Sequence, residues 1–343
     1  DALGHCLDQG RWPQAWVLEL SSFQLHACHA FEPDVATVLN LSPDHLDWHG
    51  DMAAYAADKA RIFGQHTHRL LNRDDAQTLQ WQPAEPPPKR RRKPDTVLPP
   101  SWSSFGLNTP ERVGDWGLEW VNGMAWLVRA QGLDSGSVEP RDDEPPYLQR
   151  LMPTEALRIR GRHNWANALA ALDLASRVSQ DTAAMLHGLR DYAGEAHRVQ
   201  TVAIVDDIEY IDDSKGTNVG ATLAALQGLG ADRRLVVILG GDGKGQDFSP
   251  LREALVACAR GVVLIGRDAA AIAAVLSGVD FAVEHCDTLP EAVTRATTMA
   301  QPGDVVLLSP ACASLDMFDN YGHRARVFVE AVDAWAQDQG AAL

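Results

Sequence analysis

The chain is 343 residues long, with 30 basic and 46 acidic side chains for a formal charge of −16, and 45% of its residues are hydrophobic. That length and apolar content predict two packed domains, and since no apolar run approaches 18 residues, no membrane span is expected. So acidic a protein is a poor partner for nucleic acid or an anionic membrane, but a small anionic substrate is not excluded, because local lysines and arginines decide that.

Several segments share one grammar: an apolar, β-branched run, a polar or glycine turn, then helical periodicity. The runs are 15–20, 35–40, 69–72, 209–211, 235–240, 261–265 and 304–309, and continuous apolar runs of this kind predict strands buried on both faces. Helical spacing follows at 52–63, 164–178, 182–190, 219–229, 250–259 and 289–300. The alternation predicts an α/β fold with mostly parallel sheets. Two stretches depart from it. Residues 83–100, with EPPPKRRRKP, read as a solvated surface insertion or an anion-binding arm. Residues 116–129 place Asn122-Gly123 between alternating apolar residues and predict a β-hairpin. A boundary is expected after residue 196, where a fresh strand–helix series begins.

The five cysteines (Cys6, Cys28, Cys258, Cys286, Cys312) are scattered without a C-x-x-C pair. That pattern argues against a disulfide framework or a zinc site and suits a reducing cytoplasm. Cys312 lacks a local histidine and reads as a small buried residue, and His26, Cys28 and His29 complete no ligand set. The chain opens on Asp1 rather than methionine and reads as the interior of a longer sequence.

Ligands of open α/β sheets bind beyond the carboxyl ends of the strands, so the polar residues closing each run are the candidates. Glu19 closes the first run; it would hold a cation or simply reach water. His45 follows the second run in a turn sequence, as a ligand or a surface imidazole. Lys59 sits among Ala56, Ala57, Ala60 and Ile62, where a lysine is either made reactive or snorkels to solvent. EYIDDSKGTN packs Asp212, Asp213, Ser214, Lys215, Thr217 and Asn218 between a strand and a helix whose N-cap is Thr217 or Asn218. This is more polarity than a turn requires, and free amides at a helix start hold anions. GGDGKGQDF allows close backbone approach, with Lys244 for a carboxylate or phosphate. Neither a P-loop nor a complete dinucleotide fingerprint occurs in the chain. SPACASLDMFDNY adds Ser309 and Ser314 at the end of the last run.

In this order, LELSSFQL, LNLSPDHLDWHG with KARIF, GRHNWANALAA, HR, DDSKGTN, GGDGKGQDF and SPACASLDMF resemble the Mur ligase family, specifically its D-glutamate-adding branch. The resemblance implies the family's central ATPase domain over 1–196, lacking its P-loop start, and its Rossmann-like C-terminal domain over 197–343. It implies a cytoplasmic, monomeric, ATP- and Mg²⁺-dependent ligase of peptidoglycan synthesis that joins D-glutamate to UDP-N-acetylmuramoyl-L-alanine through an acyl phosphate. A further domain of about 100–150 residues would lie upstream, and this chain by itself is expected to be inactive. By resemblance Glu19, His45 and Lys59 match magnesium positions, Lys59 as a carbamate. Asn167, Arg198 and Asp213 match nucleotide positions. Lys215, Thr217, Lys244, Ser314, Leu315 and Tyr321 match the D-glutamate site, Tyr321 standing where a phenylalanine is expected. The competing readings are a sister ligase or folylpolyglutamate synthase, a non-catalytic binding paralogue, and a nicotinamide dehydrogenase.

Overall fold

The structure is a computed structural model that describes residues 2–10, 12–84, 101–132, 145–231 and 233–338. All but the first two residues of the basic proline-rich stretch at 83–100 lie outside that set. In chain order the first half runs α1 (Ala2–Asp8), α2 (Ser22–His26), β1 (Val35–Thr37), α3 (Leu46–His49), α4 (Met52–Ala60), β2 (His68–Asn72) and α5 (Ala76–Leu79). It continues through β3 (Trp102–Phe105), β4 (Trp116–Val121), β5 (Met124–Gln131), β6 (Tyr147–Pro153), α6 (Arg162–Ser176) and α7 (Thr182–Asp191). The second half runs β7 (Gln200–Val205), β8 (Ile208–Asp212), α8 (Val219–Leu229), β9 (Leu235–Gly240), α9 (Ser249–Cys258) and β10 (Ala259–Ile265). It closes with α10 (Ala269–Val275), β11 (Ala282–His285), α11 (Leu289–Met299), β12 (Val305–Leu308) and α12 (Tyr321–Asp338).

Packing divides the chain into two compact units. The first is Asp1–Leu41, Trp48–Met152 and Ala168–His187; the second is Ser42–Asp47, Pro153–Asn167 and Gly188–Leu343. Two short pieces, 42–47 and 153–167, thus pack with the C-terminal half although they precede residue 196.

The first unit holds a six-stranded sheet in order β1-β2-β3-β4-β5-β6, parallel from β1 to β4. β4 and β5 pair antiparallel through the expected Asn122-Gly123 turn, whose φ of 52° and 81° at the two central residues are those of a primed hairpin turn. One expected strand does not form. Residues 15–20 are irregular and Val17 is 96% exposed. A strand buried on both faces needs a hydrogen-bonded neighbour, and among the described residues β1 pairs with β2 alone. Apolar composition without a partner leaves the run open.

Behind this sheet lies a buried polar chain. His68 meets Ser101 through Nδ1 (2.7 Å) and Ser103 through Nε2 (2.7 Å). Ser103 donates to Asp173 (2.5 Å), and Arg177 donates to the other carboxylate oxygen (2.9 Å). Burial, helped by the charge of Arg177, pushes His68 down to about 4 from an ordinary 6.5. Between those values the unfolded chain binds a proton that the folded one refuses, so stability is full above 6.5 and declines as pH falls toward 4. About 2–3 kcal/mol is expected to be lost over that window. Urea unfolding from pH 7 to 4 measures it, and His68→Gln should flatten the slope; an unchanged slope would refute the assignment.

The second unit carries a sheet in order β11-β10-β9-β12-β8-β7, parallel except for the β7–β8 pair. β9 is buried throughout, and its residues alternate between two cores. Leu235, Val237 and Leu239 pack toward α8 and α9, and Val236 and Ile238 toward α11 and α12. A sheet covered on both faces leaves its strand ends as the place for chemistry.

Candidate functional site

Three loops converge at the carboxyl ends of β8, β12 and β9, which are adjacent and parallel. The loop after β8 carries Asp213–Asn218, the loop after β9 carries Gly241–Phe248, and the loop after β12 carries Ser309–Asn320. Backbone bonds stitch them together. Ala311 donates to Gly216 O (3.0 Å), and Asp242 and Ala313 exchange both bonds (3.0 and 2.8 Å). Gly240 and Gly241 make this approach possible: φ is 120° and 130°, and a Cβ would collide with the carbonyl oxygens of Ile265 and Ala313. Asn218, one of the two expected N-caps, accepts from Ala221 N (2.8 Å) and starts α8; its amide also donates to Asp44 (3.1 Å).

The hinge of the cluster is Arg324 on α12, which is fully buried. It donates to Ser214 Oγ (3.0 Å), Ser214 O (2.8 Å) and Cys312 O (3.1 Å), tying the β8 loop to the β12 loop. Burial lowers its guanidinium to about 10. Beside it, Asp213 accepts from Ser309 Oγ (2.7 Å) and Val199 N (3.2 Å). Burial raises Asp213 to about 7, with the neighbouring Asp212 adding to the rise. Near neutral pH this carboxyl is therefore divided between proton donor and acceptor.

Around this frame sit the predicted ligand-binding residues. Lys215 is half-buried with Nζ 5.8 Å from the Tyr321 ring centre, and Thr217 is half-buried beside it. Ser314 is buried, whereas Leu315 is 72% exposed. Lys244 is exposed, in a left-handed turn (φ 51°) held by its N–H on Asp242 (3.0 Å). Asn167 and Arg198 are exposed, the amide of Asn167 donating to Asn164 (3.2 Å). Cations and hydroxyls facing the same sheet edge can hold carboxylates. Cys312 is buried, its thiol pushed up to about 12, which suits packing rather than attack.

In the first unit, Glu19 is exposed in an irregular segment, so it meets no burial cost of the kind a strand end would impose. Two residues later Ser21 caps α2 in a reciprocal capping box with Gln24. Lys59 is half-buried on α4, 5.8 Å over the Tyr55 ring. Its neighbour Asp58 is gripped by His26 (2.9 Å), His49 (3.0 Å) and Arg61 (3.1 Å), and His49 reaches Ser22 (2.9 Å). His45, in the second unit, adopts φ 54° with Nε2 3.6 Å from its neighbour Asp44.

The β8, β9 and β12 loops bring Asp213, Lys215, Thr217, Lys244 and Ser314 to one sheet edge, and Tyr321 joins Lys215 there from the first residue of α12. Sequence reasoning missed Arg324, although a signal existed: with Phe328 and Val332 at i+4 and i+8, it lies on the buried face of α12. It also missed the Ser22–His49–Asp58–His26 cluster, which joins positions too far apart for any spacing rule.

Residues 6–90 match the Mur ligase middle domain, and residues 197–312 match the Mur ligase glutamate ligase domain. The UDP-N-acetylmuramoylalanine–D-glutamate ligase of Polaromonas sp. is 58% identical over 344 aligned positions, covering all of this chain and 58% of that protein. That of Albidiferax ferrireducens is 52% identical, covering all of this chain and 67% of that protein. The chain thus spans about three fifths to two thirds of these relatives. Among solved structures, the Thermotoga maritima UDP-N-acetylmuramate-alanine ligase shares the fold with a TM-score of 0.57 at 18% identity, over 91% of this chain and 62% of that one. The MurF ligase of the same organism, solved with ADP, gives 0.59 at 15% identity, over 90% and 63%.

Proposed function

We propose, on the premise that this chain belongs to the Mur ligase family, that it supplies the middle and glutamate-binding parts of an ATP-dependent ligase joining D-glutamate to UDP-N-acetylmuramoyl-L-alanine. The observation that carries this reading is the convergence of two lysine-bearing loops and a buried serine at one sheet edge, in a chain 52–58% identical to relatives named for that reaction. We assign residues 1–196 to the family's central domain and 197–343 to its C-terminal domain. The reaction would run in the cytoplasm, with the protein a monomer; among the described residues no helix is long and apolar enough to cross a membrane.

The reaction begins when the γ-phosphoryl group of ATP passes to the free carboxylate of the UDP-linked substrate, giving an acyl phosphate and ADP. The amine of D-glutamate attacks that carbonyl, loses a proton, and expels phosphate as the amide forms. Positioning and charge neutralisation are the protein's share of this chemistry. Lys215 and Lys244, with the hydroxyls of Thr217 and Ser314, hold the two carboxylates of D-glutamate; Leu315 and Tyr321 wall its chain. Asn167 and Arg198 contact the nucleotide, and Asp213 accepts from or donates to its ribose hydroxyls.

The donors in this chain fit magnesium on one condition. The carboxylate of Glu19 is exposed and oxygen-bearing, but the ammonium of Lys59 repels a cation. Addition of CO₂ to its neutral amine, with loss of a proton, makes a carbamate whose oxygens suit the metal. Glu19 would then hold a magnesium on the nucleotide phosphates and the Lys59 carbamate a second one, for which His45, a residue of the other unit, is a ligand by resemblance alone; magnesium, when bound, neutralises phosphate charge.

Release of phosphate that requires D-glutamate, assayed in the full natural polypeptide against L-alanine and diaminopimelate, tests the reading; turnover with either of those instead would favour a sister ligase. Lys244→Ala is expected to raise the KM for D-glutamate at least tenfold while changing that for ATP less than twofold. Equal effects on both would contradict the assignment.

A further inference from the structure

A cleft of about 280 Å³ opens in the first unit, and none of the residues assigned above is among those that line it. One wall is the sheet, with Trp116 on β4, Arg129 on β5 and Gln149 on β6; the other is the turn from α6 to α7, with Arg177, Ser179 and Thr182. Its composition is one-sided. Among the described residues no carboxylate lines it and Arg129 forms no ion pair, whereas Arg177 is matched by Asp173 at 2.9 Å. Asp181 is turned to its own helix, accepting from Ala184 N (3.0 Å).

A second observation concerns unmet donors. Trp116 is 2% exposed and among the described residues its Nε1 finds no acceptor; Nε of Arg129, whose guanidinium lies 5.1 Å over the Trp116 ring, finds none either. Both groups can only donate, and a buried donor left unpaired costs about 1–3 kcal/mol, which makes two on one wall exceptional. Gln149 does not supply the missing acceptor, because its Oε1 is taken by Gln131 (2.6 Å). A surplus cation, two orphaned donors and hydroxyls opposite call for acceptor atoms with negative charge. At about 30 Å³ per water-sized group, the cleft has room for roughly nine such groups, more than a lone inorganic ion fills.

We propose that this cleft is a binding site for a small organic oxyanion, a di-acid or phosphate ester of about eight to ten heavy atoms, anchored by Arg129. The fork of Arg129 takes the oxyanion beside the Trp116 indole, and Ser179 and Thr182 bind the remaining oxygens.

Nuclear magnetic resonance titration of the full chain, following the indole N–H of Trp116, tests this with succinate, glycerol 3-phosphate and inorganic phosphate against sodium chloride at equal ionic strength. A saturable downfield shift with succinate or glycerol 3-phosphate, at least fivefold tighter than with inorganic phosphate, is expected; which of the two binds better separates a carboxylate site from a phosphate-ester site. Arg129→Met should weaken binding at least tenfold and Trp116→Phe about threefold. If the methionine variant fails to fold, Arg129→Lys keeps the charge without the fork and should weaken binding at least threefold. Shifts that never saturate, shifts matching those in chloride, or affinity unchanged in the arginine variants would each overturn the proposal. So would a long-lived water at the indole that no anion displaces.

Discussion

Arg324→Met is expected to lower the stability of the C-terminal unit by about 2–4 kcal/mol, the largest loss for any single side chain of the site. Two effects compete. The guanidinium is buried with no carboxylate within ion-pair distance among the described residues, so methionine removes a costly desolvated charge while keeping most of the volume. Against this, the substitution strips the donor from Ser214 Oγ, Ser214 O and Cys312 O at once. Three buried acceptors at about 1–3 kcal/mol each outweigh the relief, particularly since water cannot reach them. Arg324→Ala should be worse, because it adds a cavity to the unpaired groups. Denaturant unfolding measures both; a loss below about 1 kcal/mol for methionine would mean that the loops hold without their brace. The same cut unties the β8 loop, which carries Lys215, from the β12 loop, which carries Ser314, so weaker D-glutamate binding should accompany the lost stability.

What could be read in advance follows from which interactions are local. The bounds of β9 and α8 match their predicted ranges, because an all-apolar six-residue run and an Asn-capped apolar helix declare themselves within a few residues. The hairpin at Asn122-Gly123 was equally legible, since two consecutive left-handed residues admit few side chains. Residues 15–20 misled for the opposite reason: strand formation needs a hydrogen-bonding neighbour, and composition does not reveal whether one is present. The site divides the same way. Its loops were legible as polar residues closing apolar runs, but their joining was not. Asp213 meets Ser309 across 96 positions and Arg324 meets Ser214 across 110. Only the sheet order β9-β12-β8 makes those residues neighbours. The roles of His45 and Lys59 came from family resemblance rather than from spacing.

Lys59→Ala should cut turnover by at least a thousandfold, about 4 kcal/mol of transition-state stabilisation, a loss of chemistry that exceeds any accompanying loss of folding stability. The two halves of that prediction rest on different observations. On the side of the fold, Lys59 approaches the Tyr55 ring at 5.8 Å, a contact worth about 0.5–1 kcal/mol at a half-exposed site. The anchoring of α4 lies one residue earlier, where Asp58 is held by His26, His49 and Arg61, and those contacts survive the substitution. Activity is another matter if the side chain carries a carbamate, because its oxygens would be lost and no neighbour on α4 replaces them. Lys59→Arg separates charge from chemistry: a guanidinium keeps the cation but presents no neutral amine to CO₂, so it should be as inactive as alanine. Small carboxylates added to the alanine variant should restore part of the rate, since they supply the missing oxygens. Near-normal turnover in the arginine variant would show that a cation suffices and would end the carbamate assignment. Inactivity of both variants with no rescue, alongside a large loss of stability, would instead make Lys59 a residue of the fold.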